Sequence, residues 1–154
     1  MAIRERIQQR RFHSLAAEAV ISLLVAADHL DQTVAPVWVQ HGITADQYNV
    51  LRILRGVHPD GHPRNEVARR MIRRAPDVTR MLDRLVRQGL VRRRRNPADR
   101  RESIATITDA GLGLLARIDP EVHALQTTLT RVLSERELRE LVRLCDALVP
   151  AESA

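Results

Sequence analysis

The sequence predicts a mainly α-helical chain with one small β-hairpin. Apolar residues recur at three- and four-residue steps over most of its 154 positions. Helix-capping signals stand at Thr44, Gly89, Thr108 and Ser134. Two short strand-like segments, 91–94 and 103–107, flank the turn Asn96-Pro97-Ala98-Asp99. Apolar residues make up 44% and charged residues 29%, the balance of a folded, soluble chain able to bury a sizeable core.

Residues 4–31 are expected to form one long helix, with Ile7, Leu15, Ala19, Leu23, Ala27 and Leu30 on its apolar side. Segment 31–40 carries Pro36 and is expected to be irregular or only partly helical. Thr44 to Gln47 is a capping box stapled by Ile43 and Tyr48, and opens a helix to about Arg55. The segment GVHPDGHP is a turn-rich loop. A short helix over 64–71 buries Val67, Ala68 and Met71, and 72–75 forms a turn. In the next helix Pro76 suits the first turn and Asp77 the positive dipole end; Gly89 ends it. The hairpin follows. Thr108, stapled by Ile107 and Leu112, then caps a helix that Pro120 should kink or break after Asp119. Ser134 to Glu137 is close to a capping box for a last helix ending near Leu148. This order is a winged helix–turn–helix held between N- and C-terminal helical arms.

The charge is concentrated. All 25 basic residues are arginines, against 19 acids, for a net charge of +6. Fourteen arginines and only four acids fall within residues 64–101, so this segment is strongly cationic and the rest mildly anionic. A localised positive field points to a polyanionic partner. Aromatics are limited to Phe12, Trp38 and Tyr48, too few for base-stacking platforms. The single Cys145 excludes an intramolecular disulfide and a cysteine-based zinc finger. A charged N-terminus without a cleavage pattern and the absence of a long apolar run lead us to expect no leader and no membrane span. The expected location is the cytoplasm.

On a helical wheel, Val78, Met81, Leu82 and Leu85 share one face within about 60°. Arg80, Asp83, Arg84 and Arg87 lie opposite, with Thr79 on the flank near the positive N-terminus. Such a helix fits a DNA major groove, its early residues reaching base edges and its flanks phosphates. Asp83 and Arg87, four apart, are placed to neutralise each other. On the hairpin, Arg92 to Arg95 and Arg100-Arg101 repel one another unless an anion is near, and a narrow minor groove supplies one. Asp99 is read as the residue that holds the wing tip and orients Arg101.

These residues resemble the MarR family of bacterial transcription regulators. The resemblance covers about residues 42–148. It is carried by Val78-Thr79-Arg80-Met81-Leu82-Asp83-Arg84-Leu85, by Gln88-Gly89-Leu90-Val91, and by Asn96-Pro97-Ala98-Asp99-Arg100-Arg101 leading to Ile107-Thr108. It implies a homodimer joined through a helical region, 1–42 and 109–154, with residues 43–108 as the winged DNA-binding domain. It also implies helix contacts from Thr79 and Arg80 and a minor-groove contact from Arg101. Arg84 and Arg87 complete the recognition-helix set, and Arg95, Asp99 and Arg100 the wing set. Arg73 and Arg74 are further candidates for phosphate. The segment Ile72 to Pro76 departs from the family pattern, in which a glycine and small polar residues are usual.

The expected function is sequence-specific binding of double-stranded DNA at a pseudo-palindromic operator, as a repressor relieved by a small-molecule effector. The alternative is a DNA-binding protein without an inducer, either an activator or a low-specificity architectural protein. A module whose arginines meet an acidic protein is a further class. No nucleophile–base pair, P-loop, dinucleotide fingerprint or HExxH motif is present, so no catalytic residue or cofactor is expected. His58 and His62 share a loop with Asp60, but no further metal ligand is evident and the loop reads as solvated. Cys145, among Leu141, Leu144 and Leu148, reads as a packed residue. Phe12, His13, Trp38, His41 and Tyr48 are available to line a pocket between arms and wing, or to sit in a dimer core.

Overall fold

The computed structural model describes residues 3–9, 11–74, 77–97, 99 and 101–149. Its elements are α1 (Ile3–Arg6), α2 (Leu15–Gln40), α3 (Ala45–Gly56), β1 (His62–Pro63), α4 (Arg64–Arg70), α5 (Val78–Arg87), β2 (Val91–Arg95), β3 (Ser103–Ile107), α6 (Asp109–Thr130) and α7 (Glu135–Leu148).

The N-terminal helix is not continuous. α1 ends after one turn, Gln8 takes a positive φ of 54°, and the chain restarts at Ser14, whose Oγ accepts from Ala17 N. The apolar periodicity crosses this break, but Ser14 is a stronger local signal because it satisfies an otherwise orphaned amide. α1 is tied to α2 by Arg4–Glu18 and Arg6–Asp28 ion pairs.

The two proline expectations are also corrected. α2 runs unbroken through Pro36, and α6 through Pro120. In each case core contacts hold the helix on both sides of the ring. Val34, Val37 and Trp38 pack on the core from α2, and Ile118 and Val122 are buried on α6. α2 instead ends at Gly42 (φ 67°), where Gly42 N bonds Val39 O and Ile43 N bonds Trp38 O. That paired pattern satisfies the last carbonyls and needs a left-handed residue. Gly89 ends α5 in the same way, as the sequence predicts, with bonds from Gly89 N to Val86 O and Leu90 N to Leu85 O.

The capping boxes at Thr44–Gln47 and Ser134–Glu137 both form. Thr108 Oγ1 accepts from Gly111 N to start α6. The hairpin pairs Val91 with Ile107 and Arg95 with Ser103. A third strand is an addition to the expected topology: His62 pairs with Ala105 and Pro63 with Ile104, giving an antiparallel order β1-β3-β2. Two residues carry no readable period, so the sequence hides this strand.

The core joins α3, α4, α5, the sheet and α6. Leu51, Leu54, Val67, Leu85, Leu115 and Ile118 are fully buried within it. Outside it, α2 and α7 leave Leu15, Val20, Leu24, Val142 and Leu148 exposed. Among the described residues, no helix is long and apolar enough to cross a membrane.

Gly61 enters β1 with φ 77°, and a Cβ there would lie 2.2 Å from Ala105 O. Gly56, the last residue of α3, faces open space. We expect Gly61→Ala to destabilise the fold by about 1–3 kcal/mol. Gly56→Ala should be neutral or stabilise by up to about 1 kcal/mol. Chemical denaturation of both variants checks the contrast.

Candidate nucleic-acid interface

α5 has two sharply different faces. Val78, Leu82 and Leu85 are buried, while Thr79, Arg80, Arg84 and Arg87 are exposed. Asp77 proves to be the N-cap rather than a first-turn residue: its Oδ1 accepts from Arg80 N at 2.9 Å. This fixes the first turn, where Thr79 and Arg80 project.

The wing tip is built from its acids and Asn96. Asp99 Oδ1 accepts from Arg101 N at 2.9 Å, and Asp99 O accepts from Glu102 N. Asn96 Nδ2 donates to Glu102 Oε2 at 2.7 Å. Asp99 therefore holds the tip through the backbone of Arg101. Arg100 lies outside the described residues, as do Ala75 and Pro76 of the turn before α5.

The structure sorts the arginines into two sets. Several are held by the fold itself. Arg92 Nε donates to Thr106 Oγ1 and Arg94 Nη2 to Asp60 O. Arg69 and Arg70 both reach Glu66, and Arg73 pairs with Asp31 of α2. Arg73, a candidate phosphate contact, is thus engaged by a carboxylate of the arm. Asp83 does not pair with Arg87; it meets Arg93 of β2 at 3.0 Å, because the strand after the Gly89 corner runs back beside α5. By contrast, the guanidinium groups of Arg74, Arg80, Arg84, Arg87, Arg95 and Arg101 make no hydrogen bond or ion pair among the described residues.

A cleft of about 390 Å³ opens between α4, α5 and the wing. Thr79, Arg93, Asp99 and Arg101 line it, so one recognition-helix candidate and two wing candidates meet there, while Arg80, Arg84, Arg87 and Arg95 lie outside it. Arg64 and Asn65, at the start of α4, line it too. Sequence reasoning missed both, since only the fold brings α4 beside the wing. Arg80, Arg84 and Arg87 line a second depression, on the side of α5 nearest Thr44 and Gln47.

Near β1, the guanidinium groups of Arg69 and Arg70 hold the Glu66 carboxyl below its usual range. Burial, aided by Arg70, pushes the His62 imidazole below its ordinary 6.5. His62 Nε2 is buried without a hydrogen-bond partner among the described residues. Among those residues, no group of three His, Cys, Asp or Glu side chains is placed to hold a metal.

A separate, more apolar groove of about 280 Å³ lies between α2, α3 and α6. The Trp38 and Tyr48 rings meet in its wall with centroids 4.6 Å apart. Tyr48 OH donates to Asp119 Oδ1 at 3.0 Å, and Arg55 Nη1 donates to the other oxygen of that carboxylate. Burial first, then Asp119, pushes the Tyr48 phenol above 10.0. Of the other residues expected to be available for a pocket, His41 instead contacts Glu121 at 2.7 Å and Phe12 lies beneath Arg4.

A helix with a cationic outer face, followed by an arginine-bearing hairpin, defines a winged helix–turn–helix protein of the DNA-binding class. Comparison with known proteins gives the family. The MarR family profile matches residues 43–103. The chain is 30% identical over 111 residues to the HTH-type transcriptional regulator MhqR of Bacillus subtilis, covering 72% of each chain. It is 39% identical to a MarR transcription factor from Planctomyces limnophilus, covering 89% of this chain and 99% of that one, with a TM-score of 0.67. It is 25% identical to S. aureus MepR in a DNA complex, covering 82% and 95%, with a TM-score of 0.72. The chain belongs to the MarR family and is a transcriptional regulator, not an enzyme.

His62 gives a pH prediction. Its folded-state pKa lies below the unfolded 6.5, so the unfolded chain takes up the proton first as pH falls. The stability linked to His62 is full above about pH 6.5 and is lost as pH drops toward the folded value. Denaturation midpoints measured between about pH 7.5 and 5.5 should fall, and His62→Gln should flatten that slope. An unchanged slope would place the proton uptake elsewhere.

Proposed function

We propose that this chain is a homodimeric, sequence-specific repressor that binds a pseudo-palindromic operator in the cytoplasm and is released by a small-molecule effector. The observation that carries the DNA-docking part is the set of arginines on α5 and the wing whose guanidinium groups have no partner among the described residues. Arg80, Arg84 and Arg87 line one depression beside α5, Arg101 lines the cleft between α5 and the wing, and Arg95 ends β2, a cationic set whose repulsion phosphates would offset. Thr79 and Arg80 read base edges, and Arg84 and Arg87 meet phosphates. Arg95 and Arg101 enter the minor groove beside the half-site, Asp99 holding the tip and Arg100 adding charge. Arg74 is a backbone contact; Arg73 becomes one only when it leaves Asp31.

The exposed apolar side chains of α2 and α7 support pairing of two copies through residues 1–42 and 109–154, leaving 43–108 to bind DNA. Two recognition helices would then read half-sites about one helical turn, roughly 34 Å, apart. The groove beside Trp38 and Tyr48, bordered by Arg52 and Arg73, is where an effector would sit.

The test is binding of the purified chain to a labelled fragment of its own upstream region, with scrambled competitor, over a salt series. Tight, competitor-resistant and salt-sensitive binding by a dimer is expected. Arg80→Ala and Arg101→Ala should each weaken it about 10- to 100-fold, with Arg80→Ala also relaxing specificity inside the half-site. Equal loss to scrambled DNA would favour a low-specificity protein, and no binding at low salt would overturn the proposal.

A further inference from the structure

We propose that Arg93 is a positioning residue for DNA binding, a clamp that fixes the wing against the recognition helix and keeps Asp83 from facing the phosphates. This rests on the DNA-docking reading above. In β2, alternate residues share a face, so Val91, Arg93 and Arg95 point the same way. Val91 is buried, and Arg95 has no protein partner among the described residues. Arg93 lies between them. One of its terminal nitrogens, Nη2, sits 3.0 Å from Asp83 Oδ1 and 3.4 Å from Thr79 O. Thr79 and Asp83 are one helical turn apart on the outer side of α5, so one guanidinium spans that turn. The contact sets the angle at which Arg95 leaves the helix. It also neutralises the one acid on a face that otherwise carries Thr79, Arg80, Arg84 and Arg87.

The clamp and a simple phosphate contact predict opposite signs for one substitution. Asp83→Asn removes a negative charge from the DNA-facing side. If Arg93 only met phosphate, freeing it from Asp83 would tighten binding. If it positions the wing, Asp83→Asn weakens operator binding by about tenfold or more, against the change in net charge. Arg93→Gln weakens it similarly, and the double variant is no worse than the poorer single one, because both remove the same contact. Arg93→Lys keeps the charge without the fork and falls between parent and Arg93→Gln. Both side chains are partly exposed, at 34% and 51%, so thermal midpoints should stay within about 4 °C of the parent.

Hydroxyl-radical footprints supply the readout that a merely structural role would not move. Protection in the flanking minor grooves is lost in the variants, while protection under α5 persists. Unchanged or tighter binding by Asp83→Asn overturns the inference. So does an Arg93→Gln variant that keeps its wing protection and loses only about 0.9 from the salt slope, the signature of a single phosphate contact. Failure of the parent chain to bind DNA at all is seen separately, in the unsubstituted control, and would overturn the docking reading with it.

Discussion

The winged unit turns on one corner, Gly89-Leu90. Here the recognition helix ends, the wing begins and α6 passes behind. Gly89 takes the left-handed conformation that lets Leu90 N reach back to Leu85 O. Thr108 then seals the corner from the far end of the hairpin: its hydroxyl donates to Gly89 O and its amide to Leu90 O. The same hydroxyl accepts from Gly111 N, starting α6. α6 approaches so closely that a Cβ on Gly111 would lie 2.4 Å from Leu90 O. Helix, hairpin and C-terminal arm therefore share one fixed joint, and the spacing between α5 and the wing follows from it.

Around that joint the chain manages a heavy positive charge. A hairpin with this many arginines is a poor folding unit alone, because the charges repel and the strands are short. The fold answers with local acceptors, mostly backbone carbonyls and hydroxyls rather than carboxylates. Arg94 reaches Asp60 O and Arg92 reaches Thr106 Oγ1. These two contacts hold geometry without cancelling charge, and of the hairpin arginines only Arg93 meets a carboxylate, that of Asp83, among the described residues. Full pairing with acids would have stabilised little at an exposed site and would have weakened attraction for an anionic partner.

Much of this was legible in the sequence because the signals were local. Capping boxes at Thr44 and Ser134 and the glycine corner each specify backbone geometry over a few residues. The amphipathic face of α5 was equally plain, and the exposed arginines followed from it. What escaped reading was set by tertiary contact. Pro36 and Pro120 look like helix breakers until Val37, Ile118 and Val122 are buried on either side of them. The partner of Asp83 depends on where the returning strand runs, which no i,i+4 rule encodes. Arg64 and Asn65 joined the cleft only because a two-residue strand, too short to see, folds α4 against the hairpin.

Those prolines have a mechanical side. Each lacks the amide hydrogen that would bond the carbonyl four residues earlier, on Gln32 in α2 and on Ala116 in α6. Both missing rungs fall where an arm helix crosses the winged core. A helix is least stiff at such a point and bends there at lower cost than elsewhere along its length. The two arms thus carry their compliance at the level of the Trp38–Tyr48 groove.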